Sequence, residues 1–260
     1  MTTELTSLVL TAFSGGMVAL LLTLFGGGGS VLAVPLLLYV VGVADPHVAI
    51  GVSAAGVALN ALTALAGHAR EGRVRWPCAT LFAVTGAAGA WFGSSLAKMI
   101  DGHQLLLIFA VAMAAVGVSM LRPKAADARV EPRLNWSMSP RIGMAGAGVG
   151  SAAGFFGIGG GFLIVPGLMA STGMSLATAQ ATSLLSVAAF GATTAGNYAL
   201  SGWVDPGLVA AMAVGGVAGT AAGLPLASRL GSNARLGRIL FAGLILVVAA
   251  YVAVRAVLAL

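Results

Sequence analysis

Ten apolar runs, parted by short stretches that hold almost all the charge, set the terms on which this chain can fold. They cover about 5–25, 31–43, 47–67, 77–98 and 104–121, then 141–156, 162–172, 175–197, 206–228 and 236–258. Most reach the ~18 apolar residues that a bilayer-crossing helix needs. Only 8% of the 260 residues are charged, against roughly 25% in soluble domains, so the chain cannot cover a water-facing surface. The alternation of apolar and polar residues that marks an outer-membrane barrel is missing. The expected fold class is therefore an all-α polytopic membrane protein, with the lipid bilayer as its main partner.

The two halves of the chain resemble each other. Laying Phe25–Pro35 on Phe156–Pro166 gives seven identities in eleven positions. Laying Val84–Ala97 on Val214–Ala227 gives seven in fourteen. Ala49, Ser53 and Gly72 fall on Ala179, Ser183 and Gly202 at the same spacing. Matches in one order point to an internal repeat of about 130 residues. Residues 1–121 form the first transmembrane repeat, 122–140 a polar, proline-bearing linker, and 141–260 the second repeat.

The basic residues give the relative orientation of the repeats. Arg70, Arg73 and Arg75 lie between the third and fourth runs of the first half, whereas 198–205 in the second half has no Lys or Arg. There, Arg229, Arg235 and Arg238 cluster one loop later. The linker region adds Arg122, Lys124, Arg129, Arg133 and Arg141. An inverted second repeat puts these eleven of the thirteen basic residues on one face, which the positive-inside rule makes cytoplasmic. The linker is then cytoplasmic and both termini lie outside. Inversion needs an odd number of crossings per half, so each half is expected to hold four long helices plus a short one that turns back after a Gly-rich break. At ~1.5 Å per residue, run 162–172 is about 16 Å long and cannot span a ~30 Å core alone.

Those breaks, Gly26–Ser30 and Gly157–Gly161, must face protein or a watery cavity, because lipid cannot satisfy bare backbone. Short helices are expected to start at Val31 and Phe162, with Pro35 and Pro166 on the fifth residue of each. Their unpaired first N–H groups and positive dipole ends would converge near the midplane as an anion site. The expected binding residues are Gly26, Gly27, Gly28, Gly29 and Ser30 in one half and Gly157, Gly159, Gly160 and Gly161 in the other. Ser53, Gln180, Thr182 and Ser183, early in the third helices, join them. Asn60, Thr63, Thr193, Thr194 and Asn197 are weaker candidates on the same helices. Other glycines at four-residue spacing, Gly89 and Gly93, Gly219 and Gly223, and Gly146, Gly150 and Gly154, read as helix–helix contacts. Such faces also permit a homodimer.

All seven acidic residues fall in loops or at ends, which disfavours cation antiport or proton pumping and favours an anionic substrate. His47, His68 and His103 lie at segment ends without metal-ligand spacing and read as interfacial; His47 beside Asp45 is the one candidate proton relay. Cys78 reads as a small buried apolar residue. Trp76, Trp136 and Trp203 flank segments as interfacial anchors, and Trp91 reads as packed in the bundle. The N-terminus has no basic region before its first apolar run, so no cleavable signal peptide is expected. Aromatics do not interleave with basic residues, which argues against nucleic acid. No buried acid–base or nucleophile pair suggests an enzyme, and no cofactor or metal is implied.

The doubled Phe-Gly-x-Gly-Gly-(Gly/Ser)-x-x-x-Val-Pro, each copy followed by a helix with a Ser at 53 or 183, resembles the TauE/SafE sulfite exporter family. The stretch GHAREGRVRW around His68–Trp76 resembles that family's Gly-x-Val/Ile loop. The resemblance implies a bacterial inner-membrane permease for sulfite, thiosulfate or organosulfonates. Gly51-Val52-Ser53 departs from the Ala-Thr-Ser of the second half, and the paired cysteines expected of thiosulfate-handling relatives are missing. Sulfite or an organosulfonate is therefore the favoured substrate. An anion channel, or a permease for another small solute such as thiosulfate or an amino acid, remains the alternative.

Overall fold

In lipid a helix can pair its own backbone groups. The computed structural model, described for residues 2–121, 139–157, 161–230 and 234–258, contains helices and no strand among those residues. In chain order the first half holds α1 (Thr2–Phe25), a 3-10 segment (Gly26–Leu32), α2 (Ala33–Leu36), a π turn (Leu37–Val41), α3 (Pro46–Arg70), α4 (Trp76–Ala97) and α5 (Gly102–Leu121). The second half holds α6 (Ser139–Phe156), α7 (Gly161–Thr172), α8 (Leu176–Ala199), α9 (Pro206–Leu230) and α10 (Ala234–Leu258). Among the described residues, α1, α3, α8 and α9 contain spans long and apolar enough to cross a membrane.

The helix ends follow local chemistry. Asp45 caps α3, its carboxylate accepting the His47 backbone N–H at 2.8 Å. Ser175, one repeat later, caps α8. Gly42 and Gly173, and again Gly72 and Gly202, are left-handed turns at matching places in the two halves.

Small residues let the helices approach closely, and the order of contacts gives their directions. Along α1 and α9, Gly15 meets Met212, Gly16 meets Gly215 and Gly219, and Thr23 meets Gly223. Along α3 and α9, Gly56 meets Met212, Asn60 meets Gly216 and Gly67 meets Leu224. Both pairs ascend together, so α1, α3 and α9 are parallel. On the other side Gly86 meets Gly150, Ala90 meets Gly154 and Gly93 meets Ser151 and Phe155, so α4 and α6 are parallel. Arg75 meets Thr182 and Lys98 meets Asn197, so α8 runs with α4. The two third helices descend against each other: His47 rings with Tyr198, and Ala54 and Ala58 face Gly191. α3 and α8 are antiparallel. Since α1 and α3 point the same way, as do α6 and α8, the chain between each pair must turn back.

The glycine faces at four-residue spacing are all used inside the chain, α4 on α6 and α9 on α1, so they supply no free surface for a dimer. The core between the layers is apolar, with Phe82 and Phe190 stacked at 6.2 Å between ring centres and both fully buried.

Three expectations need correction. The first Gly-rich stretch is not a break: Gly26–Leu32 is wound as a 3-10 helix. No helix starts at Val31, since the Ala33 N–H already bonds the Ser30 carbonyl and α2 is only four residues long. Pro35 is instead the third residue of α2, where it leaves an amide out of the ladder, and the chain widens into the π turn just beyond it. Trp91 is 47% exposed, because it sits off the Gly86–Gly93 face that meets α6. Trp136, Gly159 and Gly160 lie outside the described residues.

Candidate functional site

The 3-10 segment packs on α7, the helix that follows the second glycine-rich stretch, and also against α8. Gly29 and Ser30 are buried. Gly29 lies so close to the backbone of Leu21 and Leu22 that a Cβ has no room, so this glycine serves close approach to α1. In the second half, α6 ends at Phe156 and Gly157 reverses the chain with φ +66. A Cβ there would overlap the Ile50 side chain of α3. α7 begins at Gly161, and its first amides have no partners within the helix.

Ser53 links the halves. Its buried hydroxyl lies 2.9 Å from the Ile50 carbonyl and 3.1 Å from the Gly157 carbonyl. One proton serves two acceptors, so in this arrangement Ser53 anchors the second tip. Ser183, the matching residue of α8, is buried and donates to the Gln180 carbonyl at 2.8 Å. Gln180 itself is half-buried. Thr182 is buried, and its hydroxyl oxygen accepts the Arg75 backbone N–H at 3.2 Å, supporting the start of α4.

The named residues form two tiers. Ser53 and Gly157 lie towards the end of the bundle where α3 starts; Gln180, Thr182 and Ser183 lie towards the end where α8 starts. Ala54 faces Gly191, eight residues beyond Ser183, so the tiers are about 12 Å apart along the helices.

Of the weaker candidates, Asn60, Thr63 and Asn197 reach neighbouring helices. Asn60 donates to the Gly15 carbonyl at 3.3 Å, and the hydroxyls of Thr63 and Thr220 lie 3.2 Å apart. Thr193 donates to the Ala189 carbonyl, and Thr194 is buried. Asn197 donates to Ser94 and Ser95 at 2.7 and 2.9 Å. It also receives Lys98, whose ammonium reaches Asn197 Oδ1 at 2.7 Å, its carbonyl at 3.1 Å and Ser201 at 3.0 Å. Sequence reasoning passed over Lys98. Its signal was there: with Arg255 it is one of the two basic residues that the sequence did not assign to the expected cytoplasmic face.

His47 lies at the start of α3, where Asp45 accepts its backbone N–H and its ring stacks on Trp203 at 4.7 Å. His68 sits in the last turn of α3 yet is only 7% exposed, which segment-end placement alone could not reveal. Cys78 is buried as expected. Among the described residues no three His, Cys, Asp or Glu side chains group as a metal site.

The polar groups described are helix anchors, tying α3 to Gly157, α8 to the start of α4 and α4 to the end of α8. A probable membrane transporter protein of Xylella fastidiosa is 46% identical over 247 residues, covering 95% of each chain. One of Bacillus subtilis is 28% identical over 204 residues, 76% of this chain and 80% of the relative. One of Methanocaldococcus jannaschii is 28% identical over 157 residues, 58% of each. No solved structure matches the chain. The family model described as sulfite exporter TauE/SafE matches residues 11–252. This chain is therefore a membrane transporter, not an enzyme, and belongs to the TauE/SafE sulfite exporter family.

Proposed function

We propose that the protein is a secondary transporter, working as an exporter, of small sulfur-containing anions such as sulfite or an organosulfonate. The anion binds near the midplane between the two glycine-rich stretches, which belong to inverted repeats (1–121 and 141–260). The observation that carries this reading is the packing of the 3-10 segment on α7, which sets the first glycine-rich stretch against the helix whose first amides follow the second. Such amides favour an oxyanion without a charged side chain. The antiparallel packing of α3 and α8, which are repeat equivalents, supports the inversion. It gathers the end of α3, the starts of α4 and α6 and the end of α9 at one end of the bundle. Arg70, Arg73, Arg75 and Arg141 belong to that end, which supports a cytoplasmic linker, periplasmic termini and a bacterial inner-membrane location.

The test is counterflow of sulfite and of 2-hydroxyethanesulfonate in proteoliposomes. Saturable exchange is expected, reduced in Gly28→Leu and Gly159→Leu proteins that still fold. Unchanged exchange in both variants removes the glycine-tip site. A phosphatase fused after Leu260 should be active and one at Ala126 inactive; the reverse result overturns the topology.

A further inference from the structure

We propose that His68 is a proton-binding residue that couples the end of α1, and with it the Gly26–Leu32 segment, to the pH on the Arg70–Arg75 face. This rests on the reading of the glycine-rich segments as the moving parts of the transporter.

The imidazole is buried and has two different surroundings. On one side it hydrogen-bonds the backbone of Thr23, in the last turn of α1. Carbonyls there lack helical partners, and the negative end of the helix dipole favours a cation. On the other side Nδ1 is buried with no hydrogen-bond partner. It faces the Glu71 carboxylate, with Oε2 3.9 Å away. Glu71 is half-exposed and pairs with Arg73 Nε at 3.0 Å, so it reaches water while touching a buried base.

A proton on Nδ1 turns an empty acceptor into a donor aimed at Glu71. It also places a positive charge on the C-terminus of α1. The charge strengthens the ring's existing bond to Thr23, and so the hold of α3 on α1 just before the 3-10 segment, and it draws Glu71 to the imidazole; the neutral state holds Thr23 more weakly and leaves Glu71 to Arg73. Few other charges face this site. Glu71 and Arg73 come from the following loop, with Arg70 and Arg75 flanking them. The last turn of α1 holds no basic residue. α9 brings Leu224 against Gly67, and the side chain of Arg229 at its end lies outside the described residues.

The repeat makes this device one-sided. The residue matching His68 is Tyr198, fully buried at the opposite end beside His47 and Trp203. A phenol keeps its proton near neutral pH, whereas an imidazole exchanges it. Protonation therefore acts on one hairpin and one face.

The experiment uses 2-hydroxyethanesulfonate, which stays ionised across the range, so pH acts on the protein. In proteoliposomes, wild-type transport is expected to fall about fivefold or more as the pH at the Arg70–Arg75 face drops from about 8 to 5.5. His68→Gln, which can still donate to Thr23, should transport with a flat pH profile. Glu71→Gln should move the midpoint to lower pH. An unchanged profile in His68→Gln overturns the proton site and leaves the transporter reading standing. If wild type moves no sulfonate, the substrate reading fails and a second measurement decides the proton site. Histidine-labelled protein in micelles is titrated by NMR, the His68 signal being assigned by its loss in His68→Gln. It should titrate as the pH is lowered, the amides of Gly26–Gly29 following the same midpoint. A His68 signal that does not titrate, or glycine amides that ignore it, overturns the proposal.

Discussion

Replacing Gly157 with alanine tests how the second glycine-rich stretch is held. Two costs arise there. The residue has φ +66, a conformation that costs an L-residue about 1–2 kcal/mol. The new methyl would also overlap Ile50 Cγ2, and forcing a methyl into a filled site costs about 1–3 kcal/mol. The sum is about 2–5 kcal/mol. Gly173→Ala separates the two, because Gly173 has φ +73 but nothing within 4 Å of its absent Cβ. That variant should lose only about 1–2 kcal/mol. Ile50→Ala removes the clashing group. It costs about 2–5 kcal/mol alone, but the double variant should be about 1–3 kcal/mol better than the sum of the singles. Unfolding by SDS titration in mixed micelles, followed by tryptophan fluorescence, reads all four proteins. If Gly157→Ala costs no more than Gly173→Ala, or if Ile50→Ala gives no relief, the tip is not seated on α3 as described.

Two further outcomes follow from the packing. Gly150→Leu should prevent α6 from seating on α4, since even a Cβ meets the Gly86 backbone; Gly148→Leu, two residues away in open space, should express and elute as wild type by size-exclusion chromatography. Lys98→Met should cost about 1.5–3 kcal/mol by the same SDS titration, with strong coupling to Asn197→Ala in a double-mutant cycle, and additive losses would show that the ammonium does not bind α8.

The all-helical fold and the return of the chain after α1 and α6 were legible because they depend on run length, glycine position and the placement of arginine. The helix contacts at Gly89, Gly93, Gly150 and Gly154 were legible for a similar reason: spacing puts them on one face, and only small residues let two backbones approach. The state of Gly26–Leu32 was not legible. Four glycines argue against a helix in water, but against α1 the backbone pairs within a 3-10 turn and Gly29 gains contact with Leu22. Thr182 and Ser183 looked alike in sequence. They point to different sides of α8, and only packing shows that Thr182 supports Arg75. His68 and Trp91 were misplaced for one reason: near-uniform apolarity leaves no polar face from which to read which side of a helix is inside.

The pairing pattern bears on how the hairpins can move. α1 packs with α9 and α4 with α6, so each half is built around helices of the other and neither buries its small-residue faces alone. The second tip is seated on Ile50 and Ser53 of the first half, and the first tip lies on α7 and α8 of the second. Displacing either tip therefore breaks contacts with the other half's third helix. Because α3 and α8 are antiparallel, Ser53 and its repeat equivalent Ser183 lie about 12 Å apart along the helices, so release of Gly157 by Ser53 leaves the bond of Ser183 to the Gln180 carbonyl in place.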